Sequence, residues 1–113
     1  QLKPSGVPRI LFVNNISPYL DIIQDIDCEV VGADYRIDLN RVATALPAKS
    51  VQGNLDPAVL FGSREHVVER TLQILDNLER HNNVIFNLGH GILPETPLES
   101  VRAMVETVHG YER

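Results

Sequence analysis

The stretch NVIFNLGHGILPETPLESVRAMVETVH, residues 83–109, contains one complete strand, loop and helix. Its apolar run, NVIFNL, is typical of a parallel strand covered on both faces. Thr96 and Glu99 have the spacing of a capping box, Pro97 suits the first helical position, and Gly110 suits the helix end. An apolar stripe at helical spacing is predicted to lie in the core; it comprises Leu98, Val101, Met104, Val105 and Val108.

The same strand-then-helix pattern occurs three more times upstream. The predicted strands are RILFVN (9–14), EVVGAD (29–34) and SVQGNL (50–55). The last is more polar, and its assignment depends on its spacing and on the proline that follows. The predicted helices are 17–26, 38–46 and 63–78, with Ser17, Asp38 and Ser63 as N-caps. Four consecutive β-α units predict an α/β fold with a parallel sheet, either a small doubly wound sheet or part of a (β/α)₈ barrel.

Length and composition favour one globular domain and exclude several function classes. The chain has 113 residues, 43% of them hydrophobic and 22% charged. A net charge of −5 disfavours nucleic-acid binding, and no apolar run approaches the ~20 residues of a membrane span. Cys28 is the only cysteine, so we interpret it as a buried apolar residue. QLKPSGVP is a lead-in to the first strand, and because it lacks an initiator methionine we expect it to be a trimmed end.

Each predicted strand ends in polar or small residues. They are Asn14 and Asn15, Ala33 and Asp34, Asn54 and Asp56, and Asn87 and His90. Ligands of parallel α/β proteins bind at the carboxyl ends of the strands. The sequence therefore predicts a site at this edge of the sheet.

His90 is the first candidate for that site. Gly89 and Gly91 flank it and permit a positive φ or a close backbone approach. This pattern is compatible with a simple turn, or with an imidazole presented to an anionic or carbonyl group of a ligand.

Two further motifs have both structural and functional interpretations. In VQGNLDP (51–57), Gly53 indicates a bulge or a close backbone approach, and Asp56 before Pro57 indicates an Asx turn into a helix. In VVGADYRIDLNRV (30–42), Asp34 could accept a hydrogen bond from a substrate N–H. Arg36 could bind a carboxylate, although most arginines are solvated surface residues.

The remaining histidines are interpreted as surface residues. His66 lies in a first helical turn, His81 in the polar RHNN segment, and His109 near a helix end. None has a His, Cys or carboxylate partner at a metal-ligand spacing, so we predict no metal site.

In order and spacing, the three motif-bearing segments closely resemble the carboxyl-terminal third of the uroporphyrinogen decarboxylase family. These segments are VVGADYRIDL (30–39), LPAKSVQGNLDPAVLFG (46–62) and the opening stretch. The resemblance runs from about residue 9 to residue 111, and QGNLDP combined with NLGHGILPE and a following ESV is highly specific.

The resemblance implies a cofactor-free carboxy-lyase built on a (β/α)₈ barrel, usually a homodimer in the cytoplasm or plastid. Such an enzyme decarboxylates the four acetate side chains of uroporphyrinogen III to give coproporphyrinogen III in haem biosynthesis. His90 corresponds to a histidine that lines the cleft and binds this tetrapyrrole substrate. The family's main catalytic residues lie in an amino-terminal half that has no counterpart here.

Residues 1–113 are therefore expected to be the carboxyl-terminal half-barrel of a longer domain. A (β/α)₈ barrel needs ~250 residues, and four strands leave two unpaired edges. We expect the isolated chain to be inactive and to associate through those edges.

Two other functions remain open at this stage. A corrinoid- or zinc-dependent methyltransferase of the same superfamily would need a His/Cys cluster, which a single Cys28 far from the GHG motif disfavours. A non-enzymatic binding or assembly module is compatible with any small α/β domain.

Overall fold

Four parallel strands form one sheet in the same order as in the sequence, β1-β2-β3-β4. The computed structural model describes residues 7–81 and 83–111, so most of the predicted lead-in lies outside the described residues. The strands are Ile10–Phe12 (β1), Val30–Gly32 (β2), Ser50–Leu55 (β3) and Val84–Leu88 (β4). The helices are Leu20–Ile23 (α1), Leu39–Ala45 (α2), Arg64–Asn77 (α3) and Leu98–His109 (α4). Short 3-10 turns occupy Ser17–Tyr19 and Pro57–Phe61.

The helices all pack against the same face of the sheet. A row of strand residues contacts α1, α2 and α3 through one apolar cluster; it comprises Leu11, Val31, Val51 and Val84. A second cluster joins α4 to the carboxyl ends of β3 and β4 through Leu55 and Leu88. Cys28 is buried in the first cluster, which confirms its interpretation as an apolar residue.

The opposite face of the sheet has no helix on it in the described part of the chain. Phe12 and Ile85 lie on this face, one on each edge strand, and are 47% and 46% exposed. A doubly wound sheet would carry helices on both faces and would reverse its strand order at a switch point. In this chain the strands are in consecutive order and helices cover only one face of the sheet, as in consecutive units of a (β/α) barrel.

The strand with the weakest apolar pattern, β3, is the longest of the four. Val51 and Leu55 bury their side chains on the helix-covered face. Gly53 has a φ of 145°, and a Cβ added to it would lie 2.7 Å from the Ala33 carbonyl oxygen. The predicted close backbone approach at Gly53 is therefore confirmed, and it explains why a glycine interrupts this strand.

Local capping signals were reliable for two of the helices and for the 3-10 turn after β3. Asp38 accepts a hydrogen bond from Asn40 N, and Ser63 Oγ accepts one from His66 N. Asp56 accepts one from Ala58 N, as the predicted Asx turn requires. The prediction for Ser17 was wrong: no side chain caps that segment, and α1 covers only Leu20–Ile23.

The start of α4 also differs from the prediction. Pro97 occupies the N-cap position, and no side chain caps the helix. Thr96 Oγ1 instead donates to the Leu93 carbonyl oxygen at 2.6 Å, and Glu99 lies near Arg102. The capping box was therefore wrong, because the loop before the helix makes its own turn. Gly110 does end the helix, as predicted.

The predicted apolar stripe of α4 is only partly in the core. Met104 is 9% exposed, whereas Leu98 is 68% exposed and Val105 is also exposed. The deeply buried positions of this helix are Ser100, Ala103 and Met104. None of the helices in residues 7–81 and 83–111 has the length and hydropathy needed to cross a membrane.

We predict that Met104→Ala lowers the free energy of unfolding by about 2–5 kcal/mol, because it removes a buried side chain and leaves a cavity. Leu98→Ala removes an equally apolar side chain from the same stripe but should change stability by less than about 0.5 kcal/mol. Urea denaturation of both variants checks this. Equal losses in the two variants would contradict the burial of this helix as described.

Candidate functional site

The carboxyl ends of β2, β3 and β4 meet around a cavity of about 220 Å³. Tyr35 and Arg36 reach it from the loop after β2, Asp56 from the turn after β3, and His90 from the loop after β4. The structure thus brings all three sequence motifs to the predicted edge of the sheet. The other lining residues are Pro57, Ala58, Gly91 and Leu93.

Asn54 fixes the loop that carries Tyr35 and Arg36. Its side-chain amide is buried and donates to the carbonyl oxygens of Asp34 (2.9 Å) and Ile37. These two carbonyls bracket Tyr35 and Arg36 in the sequence. Asn54 therefore joins the QGNLDP motif to the GADYRID segment, a role that the turn signals of its own segment did not predict.

Asp34 holds the same loop from its other side. Its carboxylate is 0% exposed, and it accepts from Ile16 N (3.2 Å) and Arg36 N (3.4 Å). Arg36 Nη1 lies 3.3 Å from Asp34 Oδ2 and neutralises the buried charge. Because both oxygens already bind donors within the protein, these contacts favour a structural role for Asp34 over the predicted contact with a substrate N–H.

The structure gives a reason for only one of the two glycines of the GHG motif to be glycine. A Cβ on Gly89 would lie 2.7 Å from Tyr35 Cα, so only glycine lets the β4 loop pack against the β2 loop. A Cβ on Gly91 would meet nothing within 4 Å. Neither glycine has a positive φ, so the close approach to Tyr35, not an unusual backbone conformation, explains why position 89 is glycine.

His90 itself is exposed, and its imidazole forms no hydrogen bond within the described residues. Both ring nitrogens can therefore meet a ligand in the cavity that Arg36 also lines. An imidazole and a guanidinium that line one cavity provide hydrogen-bond donors suited to a carboxylate. The contact between His90 and a substrate remains a prediction.

Of the other three histidines, His81 departs from the surface interpretation. It is partly buried, its Nε2 lies 2.7 Å from the Leu75 carbonyl oxygen, and its ring packs 5.4 Å from that of Tyr111. It contributes to the packing between α3 and the end of α4. His109 is exposed, as predicted, and His66 is partly exposed.

The residues that the structure describes contain no group of three His, Cys, Asp or Glu side chains placed to hold a metal ion. Cys28 precedes β2 and so lies at the amino end of the sheet, whereas His90 lies beyond the carboxyl end of β4. This separation disfavours the methyltransferase alternative, which would bring thiolate and imidazole ligands together.

We predict that Gly89→Ala destabilises the protein by about 1–3 kcal/mol, because the added methyl group must displace the backbone of Tyr35. Gly91→Ala is the matched control two residues away and should be neutral or slightly stabilising. Thermal unfolding of both variants measures the difference in stability between them. Equal tolerance of the two substitutions would show that the loops after β2 and β4 are not packed as described.

The sequence of this chain is similar to those of known proteins over nearly its whole length. The family model for uroporphyrinogen decarboxylase (URO-D) matches residues 1–111. The uroporphyrinogen decarboxylase of Anaeromyxobacter sp. (strain Fw109-5) is 41% identical over 110 residues, which cover 97% of this chain and 32% of that protein. That of Streptomyces coelicolor (strain ATCC BAA-471 / A3(2) / M145) is 43% identical over 105 residues, or 92% of this chain and 30% of that protein.

A third relative, the uroporphyrinogen decarboxylase of Acidovorax sp. (strain JS42), is 42% identical, and the alignment covers all of this chain and 36% of that protein. The chain therefore spans about a third of the length of these relatives. The match covers all four β-α units and the three motifs that meet at the cavity. On these grounds the chain belongs to the uroporphyrinogen decarboxylase family.

Proposed function

We propose that this chain forms one side of the substrate cleft of a uroporphyrinogen decarboxylase, with His90 as a substrate-binding residue. The observation that carries the proposal is the meeting of the motifs at one cavity, in a chain whose family match spans residues 1–111. The reaction converts the acetate side chains of uroporphyrinogen III to methyl groups and yields coproporphyrinogen III.

The chemistry assigned to the reaction requires no metal or organic cofactor. Protonation of a pyrrole carbon makes the ring an electron sink, so the bond from the acetate methylene to its carboxylate can break. Carbon dioxide leaves as the electron pair of that bond moves into the protonated ring and forms an exocyclic methylene group. A proton is then added to the methylene carbon to give the methyl group, and the ring carbon loses the proton it first took up, which restores the pyrrole. In this scheme His90 and its neighbours bind and orient the acidic side chains, and the catalytic groups come from outside this chain.

The half-barrel architecture gives this proposal its structural basis. The four units leave the strand face that carries Phe12 and Ile85 uncovered and both sheet edges unpaired in the described residues. Further parallel strands added at β1 and β4 would close this face into the interior of a barrel. We therefore propose that residues 1–113 are the carboxyl-terminal half of such a domain, in a cytoplasmic enzyme that forms homodimers.

We predict that His90→Asn, made in an intact enzyme that contains this chain, raises KM for uroporphyrinogen about tenfold with little change in kcat. This split is expected because a residue that only binds substrate contributes equally to ground and transition states. Steady-state assay of carbon dioxide release measures both constants, with His109→Asn as the control for loss of an exposed imidazole. A fall in kcat would assign proton transfer to His90, and unchanged constants would contradict its role in the site.

The isolated 113-residue chain is predicted to associate and to show no decarboxylation above background. Its open apolar face and unpaired parallel edges favour contact with other chains. Light scattering over a range of concentrations and a turnover assay on the same sample test both statements. A monodisperse monomer would support the alternative of a binding module that folds alone, and steady turnover would overturn the half-barrel proposal.

A further inference from the structure

We infer that Arg36 binds a carboxylate side chain of the substrate and that, with His90, it forms a subsite for a single acidic arm. The inference rests on the proposed function, because it takes the tetrapyrrole as the ligand. It concerns a residue in a loop after β2, whereas His90 follows β4. The two side chains line the same cavity from separate loops.

The guanidinium of Arg36 uses one of its edges within the protein and leaves the other free. Nη1 donates to Asn14 Oδ1 at 3.4 Å and to Asp34 Oδ2 at 3.3 Å. Within residues 7–81 and 83–111, Nε and Nη2 donate no hydrogen bond, and the side chain is 48% exposed. The Nε–Nη2 edge has the parallel pair of N–H groups that binds a carboxylate in bidentate fashion.

Three contacts hold that edge in place before a ligand arrives. The guanidinium carbon lies 4.7 Å from the centroid of the Tyr35 ring, whose face supports the charged plane. Arg36 N donates to Asp34 Oδ2, and the Asn54 amide fixes the carbonyls on either side of the residue. A surface arginine of ordinary mobility loses side-chain rotamer entropy when it binds a ligand, and contacts made before binding reduce that loss.

Charge favours a single carboxylate arm in the subsite, and volume excludes the macrocycle. Asp34 is already paired with Arg36, and Asp56 also lines the cavity while its Oδ1 caps the turn at Ala58. With this second carboxylate present, repulsion disfavours entry of two anionic groups. The volume of about 220 Å³ suits an acetate or propionate group and is too small for the macrocycle, which would lie outside the cavity mouth.

The test measures the affinity of uroporphyrin, the oxidised and air-stable form of uroporphyrinogen with every carboxylate retained. Titration into the intact protein that contains this chain is followed by porphyrin fluorescence. Arg36→Gln removes both the positive charge and the parallel pair of N–H groups. Arg36→Lys keeps a cation beside the buried Asp34 but removes that pair of N–H groups. Arg41→Gln, on the exposed side of α2, is the control with the same change in net charge. Circular dichroism and thermal unfolding confirm that each variant is folded.

We expect Arg36→Gln to weaken binding about tenfold and Arg36→Lys about threefold to fivefold, since an ammonium keeps the charge without the bidentate geometry. Arg41→Gln should change the affinity less than twofold. If folded Arg36→Lys and Arg36→Gln bind as tightly as the Arg41→Gln control, the assignment of Arg36 is overturned while the proposed function stands. If the unaltered protein neither binds uroporphyrin nor releases carbon dioxide from uroporphyrinogen, the proposed function itself fails.

Discussion

The carboxylate of Asp34 is removed from water, and it must find its hydrogen-bond donors within the protein. A buried carboxylate without hydrogen-bond donors would destabilise the fold by several kcal/mol. The groups that donate to it must therefore be held in place as well. They come from Ile16, in the segment after β1, and from Arg36, in the loop after β2. One side chain thus joins the carboxyl ends of two neighbouring β-α units and orients the guanidinium that reaches the cavity.

The next two units are tied to the same loop by different means. From β3, the Asn54 amide donates to the carbonyls of Asp34 and Ile37. From β4, Gly89 packs against the backbone of Tyr35. The loops at the carboxyl ends of the strands are therefore connected to one another. A substitution at Gly89 is expected to alter the position of Arg36 although the two residues are not in direct contact. Such support from outside the ligand contacts is what keeps a binding geometry fixed.

The opposite, uncovered face of the sheet is the second constraint on this chain. Apolar side chains such as Phe12 and Ile85 are half-exposed there, and the strand edges lack partners among the described residues. Burial of that face would stabilise any arrangement that supplies further parallel strands. The proposed site depends on the same completion, because the net charge of −5 on this chain would repel the carboxylates of the proposed tetrapyrrole substrate. Fold completion and substrate binding are linked in this proposal.

Sequence alone determined the order of strands and helices, the caps at Asp38, Ser63 and Asp56, and the edge of the sheet where polar residues gather. These features depend on contacts two or three residues apart, or on the alternation of apolar runs, so local pattern contains them. His90 could be chosen as a candidate for the same reason, since its motif is contiguous.

Only the tertiary structure decided which positions of α4 are buried, why Gly89 is glycine and Gly91 need not be, and which edge of Arg36 is free. Each of these depends on an element distant in the sequence: β3 and β4 beneath α4, Tyr35 beside Gly89, and Asn14 beside Arg36. The buried state of Asp34 depends likewise on Ile16, eighteen residues away. Such contacts cannot be predicted from the spacing of residues in the sequence, because they form only when the strands pair and the loops pack in the folded chain.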